Sequence, residues 1–400
     1  MAGGFGAARR LAGRAFAALP EPVRVGLFPA RAGYRAADVP GPVQPPDGDV
    51  RLYIAPANSA GQGWAWARAA ERLPGVGAVD MQFRHADDLG YPADYDAPRA
   101  VVAHSLRWGR AQFAAVAAGF THVLAESQLP VFGAPFRGDV VAEHHALSAR
   151  GVRTASLCHG SDIRLPSRHR EREPWSPFTD DFALTAVLED AAQRKAAILD
   201  ALGGPEFVST PDLLVDRPGA VWLPVVVDPE RWQGGEPPAT GGPVRVLHAP
   251  SAAGLKGTQL VLGTLHSLAA GGVIDLRLPA RTPAERMPAL VRDAEVFVDQ
   301  FSLGIYGVAA CEAMAAGRIV VSHVSEFVRE AVRSATGLEL PIVEATADTL
   351  GDVLREIGSD PHRFRAIAAQ GPAFVAAVHD GRRSAAALAP FLGVPAAAGG

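Results

Sequence analysis

The stretch from Glu295 to Ser322 is the part of the sequence that most constrains the fold. An apolar, strand-like run is followed by a loop containing Gly304 and Gly307, then by a short helical pattern that ends at Gly317, and then by a second apolar strand. Glycine is a common helix stop because it tolerates a positive φ angle. The stretch therefore predicts a strand–loop–helix–strand unit, the building block of a parallel sheet.

The same unit has features of a nucleotide-binding site. The loop leaves the N-terminus of the helix without a capping side chain, and unpaired N–H groups with a partial positive charge bind phosphate. Glu312 follows Val308 by one helical turn, so its carboxylate can share the face of the loop. A carboxylate accepts both hydroxyl hydrogens of a vicinal diol such as a ribose. Phosphate donors and a diol acceptor on one unit indicate a nucleotide ligand.

The sequence EAMAAG from Glu312 to Gly317 resembles the donor-nucleotide motif of retaining family-4 glycosyltransferases with the GT-B fold. In that motif a first Glu precedes the second by seven intervening residues, and this chain has Gly304 at the first position. The resemblance implies an α/β protein of two Rossmann-like domains that face each other across a cleft. It also implies that Gly304, Ile305, Tyr306, Gly307 and Glu312 bind the donor.

Composition is that of a folded enzyme with two domains. The 400 residues are 48% hydrophobic and 20% charged, and roughly 150 residues per domain gives two or three domains. A net charge of −4 argues against nucleic acid as a partner. The two cysteines, Cys158 and Cys311, lie in apolar patterns and indicate buried thiols in a reducing compartment, so we expect a cytoplasmic protein.

The segment 1–47 is a basic N-terminal extension that ends in a proline-rich linker. Apolar residues interleave with its first three arginines, a pattern compatible with peripheral binding to an anionic membrane surface, at the inner membrane face. A poorly ordered basic tail is the alternative. No run approaches the roughly 18 apolar residues of a membrane span. The arginines of this segment are Arg9, Arg10, Arg14, Arg24, Arg31 and Arg35.

The remaining chain divides into four parts. Residues 48–228 alternate strand and helix patterns and form the first Rossmann-like domain, which the resemblance assigns to the acceptor. A Pro/Gly-rich linker covers 229–243. Residues 244–372 form the second, nucleotide-sugar domain, and 373–400 form a helix that crosses back and a tail. The strand-like runs of the first domain include 50–57, 77–83, 99–105, 121–127 and 153–159.

A second loop between a strand and a helix, from Ser251 to Thr258, contains Lys256. An ammonium beside a helix N-terminus can meet a diphosphate. The loop lacks the contiguous Gly-Lys-Ser/Thr of a Walker A motif. The resemblance implies that Lys256 binds the pyrophosphate of the donor and contributes to catalysis. It places Ser251 or Ala252 where relatives have an arginine.

The loop from Asn58 to Gly63 follows the first strand of the first domain. Glycines here allow a backbone to approach a ligand closely. The resemblance places Gly61, Gln62 and Gly63 at the donor phosphates and Asn58 at the acceptor. A tight turn without a ligand is the alternative, and Trp66 at the third glycine position weakens a dinucleotide interpretation.

The segment CHGSDIR, from Cys158 to Arg164, resembles the His-Gly-x-Asp segment at the cleft of the same family. The resemblance implies that His159 hydrogen-bonds a sugar and that Asp162 or Arg164 orients the acceptor. Glu126, at the end of another strand, takes the position of a polar cleft residue. A structural role is the alternative for His159. The absence of GxSxG here argues against a hydrolase.

No metal ligands are predicted. Asp94-Tyr95-Asp96 matches a DxD motif, but we expect it in a loop between Pro92 and Pro98 rather than at the end of an apolar strand. His144 and His145 are adjacent and would point about 100° apart on a helix.

Together these features predict a retaining glycosyltransferase that uses a nucleotide diphosphate sugar as co-substrate, with no cofactor and no metal. Lys256 and two helix N-termini would stabilise the departing diphosphate. The acceptor would be a glycan, a lipid-linked molecule or a small molecule. One alternative is a nucleotide-sugar epimerase of the same fold, which further acid/base carboxylates in the cleft would favour. Another is a non-catalytic GT-B-like binding protein, favoured by Gly304 and the missing arginine.

Overall fold

The computed structural model describes residue 16 and residues 19–84, 88–235, 242–250 and 252–396. Ser251 lies outside the described residues, as does most of the basic segment that was considered for membrane binding. Within the described chain, no helix has both the length and the apolar character needed to cross a bilayer. Cys158 and Cys311 are free thiols and both are buried, as predicted.

The first sheet has seven strands, all parallel, in the order β3-β2-β1-β4-β5-β6-β7. Its interior strand β1 lies between β2 and β4, with Val50 opposite Val76 of β2 and Leu52 opposite His122 of β4. The strands are β1 (Val50–Ala55), β2 (Val76–Arg84), β3 (Tyr95–Pro98), β4 (His122–Glu126), β5 (Arg153–Cys158), β6 (Glu206–Val208) and β7 (Val221–Trp222).

The second sheet has five parallel strands in the order β12-β11-β10-β8-β9. The strand order reverses at β8, because β9 lies on one side of it and β10 on the other. Such a reversal creates a crevice at the carboxyl ends of β8 and β10, where open α/β sheets bind ligands. The strands are β8 (Val244–Leu247), β9 (Ile274–Arg277), β10 (Val296–Val298), β11 (Ile319–Ser322) and β12 (Val343–Glu344).

Helices cover both faces of the two sheets. In the first part of the described chain they are α1 (Glu21–Leu27), α2 (Pro29–Ala32), α3 (Gln62–Ala70), α4 (Arg99–His104), α5 (Leu106–Gly119), α6 (Val140–Ser148), α7 (Pro166–Arg172), α8 (Thr185–Leu202) and α9 (Pro229–Trp232). The later ones are α10 (Thr258–Ala270), α11 (Met287–Asp293), α12 (Val308–Ala315), α13 (Glu326–Thr336), α14 (Leu350–Ser359), α15 (Pro361–Ala368), α16 (Gly371–Val378) and α17 (Arg382–Leu392).

Alternate residues of the central strands enter different cores. In β1, Leu52 and Ile54 pack into one core and Tyr53 packs into another on the opposite face. In β10, Phe297 belongs to the first core and Val298 to a third. Successive side chains of a strand point to opposite faces, so a strand covered on both sides has to be apolar throughout. The first core includes residues of both sheets and therefore joins them.

The C-terminal helices connect the two halves of the molecule. Helix α16 packs against α12, and α17 packs against α3 of the first half. Gly371 allows the close approach of α16, because a Cβ there would lie 2.6 Å from the carbonyl oxygen of Met314. Ser384 Oγ on α17 donates a hydrogen bond of 2.8 Å to the carbonyl of Pro224. The chain thus returns to the first half after completing the second.

Two local predictions were wrong. The run 99–105 was predicted as a strand but forms helix α4, which begins at Arg99 directly after Pro98. The Asp94-Tyr95-Asp96 segment was predicted as a loop, whereas Tyr95 begins the edge strand β3. Pairing with β2 makes this short polar segment a strand, and an edge strand tolerates a proline at its end.

An ion-paired histidine links the two halves beside the cleft. His323, after β11, shares its Nε2 with Glu173 Oε2 at 3.2 Å and its Nδ1 with Glu344 Oε1 at 2.7 Å. Glu173 follows α7 of the first half, whereas His323 and Glu344 belong to the second. Burial opposes the charged imidazole, but the hydrogen bonds to Glu173 and Glu344 outweigh it and raise the pKa of His323 to about 9.

We expect this link to make stability depend on pH between about 6.5 and 9. A pKa raised in the folded state contributes stability that is complete below the unfolded pKa and is lost as pH rises through the folded pKa. The pKa shift corresponds to a contribution of at most about 3 kcal/mol to the free energy of unfolding. Solvent at the exposed Glu344 reduces this contribution. The difference in free energy of unfolding between the parent and His323→Gln should therefore be largest near pH 6 and small near pH 10.

Urea denaturation at both pH values measures this difference. The matched control is His362→Gln, which alters an exposed histidine on α15. A His323→Gln difference that stays constant from pH 6 to pH 10 would contradict the assignment of a protonated His323.

Candidate active site

The loops that follow the strands of both sheets meet at a cleft. A cavity in this cleft has a volume of about 970 Å³. The walls come mainly from loops after β1, β4 and β5 of the first half, together with helices α4 and α8, and Ala252 contributes from the second half. The carboxyl ends of parallel strands share one sheet edge, so the residues predicted in these loops converge here.

The predicted phosphate-binding helix is α12. It begins after Gly307, which supplies no side-chain cap, and a Cβ at Gly307 would meet nothing within 4 Å. Gly317 follows the helix with a φ of +68°, as its role as a helix stop requires. The first N–H groups of α12 therefore have no capping side chain, which leaves them available to an anion.

Glu312 lies on α12, and its carboxylate makes no hydrogen bond or ion pair with another described residue. Its side chain is partly exposed. Desolvation raises the pKa of Glu312 to about 8, even though Arg231 and Lys256 act in the opposite direction. The carboxyl group is therefore available to a ligand, and it changes charge near neutral pH.

Lys256 lies beside Glu312, but it has a partner. Its Nζ forms an ion pair of 2.9 Å with Asp299 Oδ1, at the end of β10. The Asp299 carboxylate is almost fully buried, and its second oxygen has no hydrogen-bond partner in the described chain. The carbonyl of Lys256 accepts a hydrogen bond from Phe301 N. These contacts hold the ammonium at the carboxyl edge of the second sheet, and helix α10 begins two residues later.

Gly304 has the position of the first glutamate of the motif, and Glu173 from the other half of the molecule lies against it. Gly304 has a φ of +63°, and a Cβ there would lie 2.6 Å from the Glu173 carboxyl carbon. Glu173 thus fills the space into which a side chain at position 304 would point. Glu173, which precedes Gly304 by 131 residues in the sequence, thus places a carboxylate where the motif has its first glutamate.

The next two predicted donor residues make internal contacts that anchor the loop. Tyr306 is buried, and its hydroxyl lies 3.2 Å from His379 Nε2 at the end of α16. Ile305 packs against the first core, and its carbonyl accepts a hydrogen bond from Gln300. The Tyr306 side chain thus anchors the loop to α16, and contact of Ile305 and Tyr306 with a donor stays a prediction.

The loop from Asn58 to Gly63 is also held by internal contacts. Asn58 donates from Nδ2 to Gln82 and to Pro92, and its Oδ1 accepts from Trp64 N. Gln62 donates from Nε2 to the carbonyl of Val226, and its Oε1 accepts from Val226 N. Each amide thus fixes the loop to a distant segment, and the ligand contacts predicted for Asn58 and Gln62 stay predictions.

The two glycines of this loop are explained by packing. A Cβ at Gly63 would lie 2.3 Å from Asp80 Oδ1. Gly61 has a φ of +74°, and a Cβ there would lie 2.9 Å from the Tyr91 ring. Protein side chains, not ligand atoms, occupy the space that these glycines leave.

Glu126 and His159 form a buried pair at the floor of the cleft. His159 Nε2 lies 2.9 Å from Glu126 Oε1. The other oxygen of Glu126 accepts hydrogen bonds from Ala57 N at 2.8 Å and Asn58 N at 3.0 Å. Burial lowers the pKa of His159, but the hydrogen bond and charge of Glu126 outweigh it, so the pKa is raised overall. His159 lines the large cavity and also packs on the Trp66 ring.

The two predicted acceptor residues of the same segment differ in position. Asp162 lines the large cavity, but its carboxylate accepts hydrogen bonds from His159 N and Gly160 N. It therefore shapes the loop that carries His159. Arg164 forms a buried ion pair with Asp212, with an Nη2–Oδ2 distance of 2.6 Å, and lies outside that cavity. Arg164 ties β5 to the segment before β7 and does not reach the acceptor side.

Three residues near Glu312 escaped the sequence analysis: Tyr91, Arg231 and Asp299. Burial and the charge of Glu312 raise the pKa of Tyr91 to about 12. Tyr91 belongs to a loop of the first half, and it lines a smaller cavity of about 300 Å³ together with Asn58 and Arg281. Tyr91 and Arg231 belong to segments without a motif, so no sequence signal would have found them.

No group of three or more His, Cys, Asp or Glu side chains in the described chain could hold a metal ion. The carboxylates of Asp94 and Asp96 are used by other protein groups. Asp94 Oδ2 lies 3.0 Å from Arg68 Nη2, and Asp96 Oδ2 lies 2.5 Å from Arg84 Nη2.

Two facing α/β domains, a carboxyl-edge cleft and C-terminal helices that return to the first domain define the GT-B fold. HepE (Alr3699) of Anabaena, in complex with UDP and glucose, is similar with a TM-score of 0.55 and 12% identity. That match covers 86% of this chain and 98% of HepE. No protein-family model matches the chain, and none of the curated proteins does.

Sucrose-phosphate synthase of Thermosynechococcus elongatus is similar with a TM-score of 0.53 and 12% identity, covering 85% of this chain and 97% of that one. HepE in complex with UDP-glucose gives a TM-score of 0.55. These structural neighbours are GT-B glycosyltransferases, and the likeness confirms the predicted fold class.

We expect Glu126→Gln to lower the pKa of His159 while keeping the loop after β1 in place. The amide oxygen of Gln can still accept from Ala57 N and Asn58 N, but it carries no charge to favour the imidazolium. Histidine ring signals followed by NMR through a pH titration measure the effect. His122, whose pKa burial lowers to about 4, is the internal control. An unchanged His159 titration would contradict the pairing.

Proposed function

We propose that this protein transfers a sugar from a nucleotide diphosphate sugar to an acceptor hydroxyl, with retention of configuration and without a metal. One observation carries the proposal: the uncapped N-terminus of α12, the unpartnered Glu312 and Lys256 lie together at one sheet edge of a GT-B cleft. Helix N–H groups and an ammonium bind a diphosphate, and a carboxylate binds a ribose diol. The His159–Glu126 pair lies on the opposite wall.

The structural neighbours support a uridine nucleotide as the donor. Crystal structures of HepE contain UDP, UDP and glucose, or UDP-glucose. We take uridine diphosphate as the first nucleotide to test. At 12% identity the neighbours support the fold, and the nucleotide is an inference from their ligands.

The chemistry would depend on stabilising charge that develops on the leaving diphosphate. Lys256 and the N–H groups of α12 are fixed before the reaction, so they require little reorganisation when that charge appears. In the family that the sequence resembles, the acceptor proton passes to a phosphate oxygen, so no separate base is required. His159, kept charged or hydrogen-bonded by Glu126, would position a sugar hydroxyl.

A second candidate is a non-catalytic nucleotide-sugar binding protein. Gly304 favours it, because the carboxylate in its place, Glu173, already binds His323. The two functions separate in one assay. An enzyme releases uridine diphosphate from a uridine diphosphate sugar, whereas a binding protein retains the intact sugar nucleotide. Activity that requires manganese and is lost with a chelator would contradict the metal-free mechanism.

We expect Lys256→Ala to weaken uridine diphosphate binding about tenfold or more and uridine binding little. A charged hydrogen bond contributes about 1.5–3 kcal/mol, and about 1.4 kcal/mol is a factor of ten in affinity. Calorimetry measures both ligands, and Arg286→Ala, at an exposed position near α11, is the matched control.

The double variant Lys256→Ala/Asp299→Asn shows how much of this loss comes from the carboxylate that Lys256 leaves behind. Equal affinities of the parent and both variants for uridine diphosphate would remove Lys256 from the site.

We also expect uridine diphosphate binding to strengthen between pH 7 and pH 9 through Glu312. With a pKa of about 8 the carboxyl group is largely neutral at pH 7, and its ionised form is the better acceptor for two ribose hydroxyls. Glu312→Gln should remove this pH dependence and narrow the preference for uridine diphosphate over its 2′-deoxy counterpart. Calorimetric titrations over this range measure both. An unchanged pH profile and ribose preference would show that Glu312 does not bind the ribose.

A further inference from the structure

The large cavity of the first domain has a marked excess of positive charge. Three of its lining residues are cations: Arg99 at the start of α4, Arg137 in the loop before α6, and Lys195 on α8. None of the three side chains makes a hydrogen bond or an ion pair with another residue of the described chain. Arg99 and Arg137 are exposed and Lys195 is half-buried.

The one carboxylate in the cavity lining does not balance these charges. Asp162 accepts hydrogen bonds from His159 N and Gly160 N at distances of 2.7–3.1 Å, so its oxygens are already occupied. Glu126 lies below the floor, fully buried and bound to His159 and to backbone N–H groups. The cavity therefore presents three unpaired cations and no free anion.

Backbone strain is concentrated around the same cavity. In the described chain, the residues other than glycine with a positive φ are Asn58, Ala60, Ser127, Gln128 and Arg137. Three of them, Ala60, Ser127 and Arg137, line the cavity, and the other two are adjacent in sequence to lining residues. Such conformations cost of order 1–3 kcal/mol each and cluster at ligand sites. The strained backbone and the three unpaired cations are independent observations, and both are found at this cavity.

We infer that this cavity binds the acceptor, and that the acceptor carries a phosphate group. This inference rests on the proposed function and specifies its acceptor class. A phosphate monoester has a charge of about −1.5 to −2 at pH 7 and three acceptor oxygens, which match several cations better than one carboxylate does. Arginine guanidinium groups bind phosphate through paired hydrogen bonds.

The cavity also places such an acceptor against the reacting groups. His159 and Ala60 of the first domain and Ala252 of the second line it together. Lys195 and His159 line the same cavity, so a phosphate bound by this ammonium would lie on the side of the imidazole. A volume of about 970 Å³ accommodates a sugar-sized molecule with its phosphate and still admits the donor from the side of Ala252.

The test compares glucose and glucose 6-phosphate as probes, by calorimetry, on the full chain. We expect the parent to bind glucose 6-phosphate about tenfold or more tightly than glucose, and the triple variant Arg99→Gln/Arg137→Gln/Lys195→Gln to lose that difference. The matched control is Arg194→Gln, which removes an exposed cation adjacent to Lys195 on α8 that does not line the cavity.

A second arm identifies the source of the phosphate. Sedimentation with phosphatidylcholine vesicles containing phosphatidic acid, whose headgroup is a phosphate monoester, compared with pure phosphatidylcholine vesicles, reports a lipid headgroup. Loss of sedimentation in the triple variant assigns the cavity to a lipid-linked acceptor, because the basic N-terminal arginines are unchanged in that variant. A triple-variant effect on glucose 6-phosphate alone assigns it to a free phosphorylated molecule.

Three outcomes overturn the inference. One is equal binding of glucose 6-phosphate and of the vesicles by the parent and the triple variant. Another is a parent that binds neither phosphate probe. The third is loss of glucose 6-phosphate binding in Lys256→Ala but not in the triple variant, which would place the phosphate in the donor site. Each is separable from failure of the proposed function, because uridine diphosphate binding and its dependence on Lys256 are measured on the same proteins.

Discussion

The buried carboxylate of Glu126 is the contact on which the rest of the first domain's cleft depends. One oxygen holds the backbone N–H groups of Ala57 and Asn58 after β1, and the other holds His159 after β5. A carboxylate without solvent is tolerated only where it is fully hydrogen-bonded or paired. Satisfying Glu126 therefore fixes two loops and the imidazole in one arrangement, and the cavity walls follow from that arrangement.

In the second domain, by contrast, the polar groups at the cleft are not fully hydrogen-bonded within the described chain. Its helix α12 starts without a capping side chain, Glu312 has no partner in the described chain, and Lys256 is held by the half-satisfied Asp299. We propose that a bound nucleotide sugar would supply the partners that these groups lack in the described chain. The first domain thus supplies a rigid wall of the cleft in which Glu126 is fully hydrogen-bonded. The second domain supplies a wall whose polar groups can still accept or donate hydrogen bonds. The Glu173–His323–Glu344 link joins them.

Much of the architecture could be predicted from sequence, because strand and helix patterns are local. The unit around α12, the stop at Gly317 and the positions of Lys256 and Glu312 in strand-to-helix units follow from glycine placement and apolar runs. The contacts that other predicted residues make depend on distant partners and could not be predicted. Asn58 and Gln62 bind Pro92 and Val226, and Tyr306 binds His379. No local pattern reveals such contacts.

The sequence by itself determined a parallel α/β chain with two glycine-rich, phosphate-type loops and a carboxylate on the second helix. Tertiary structure alone decided which polar side chains remain free. It placed Glu173 against Gly304, let the charge of Glu312 act on Tyr91, and left Arg99, Arg137 and Lys195 around one cavity without partners among the described residues. The physical reason is that a side chain's hydrogen-bonding capacity is local, but its satisfaction depends on groups that only the folded chain brings within about 3 Å.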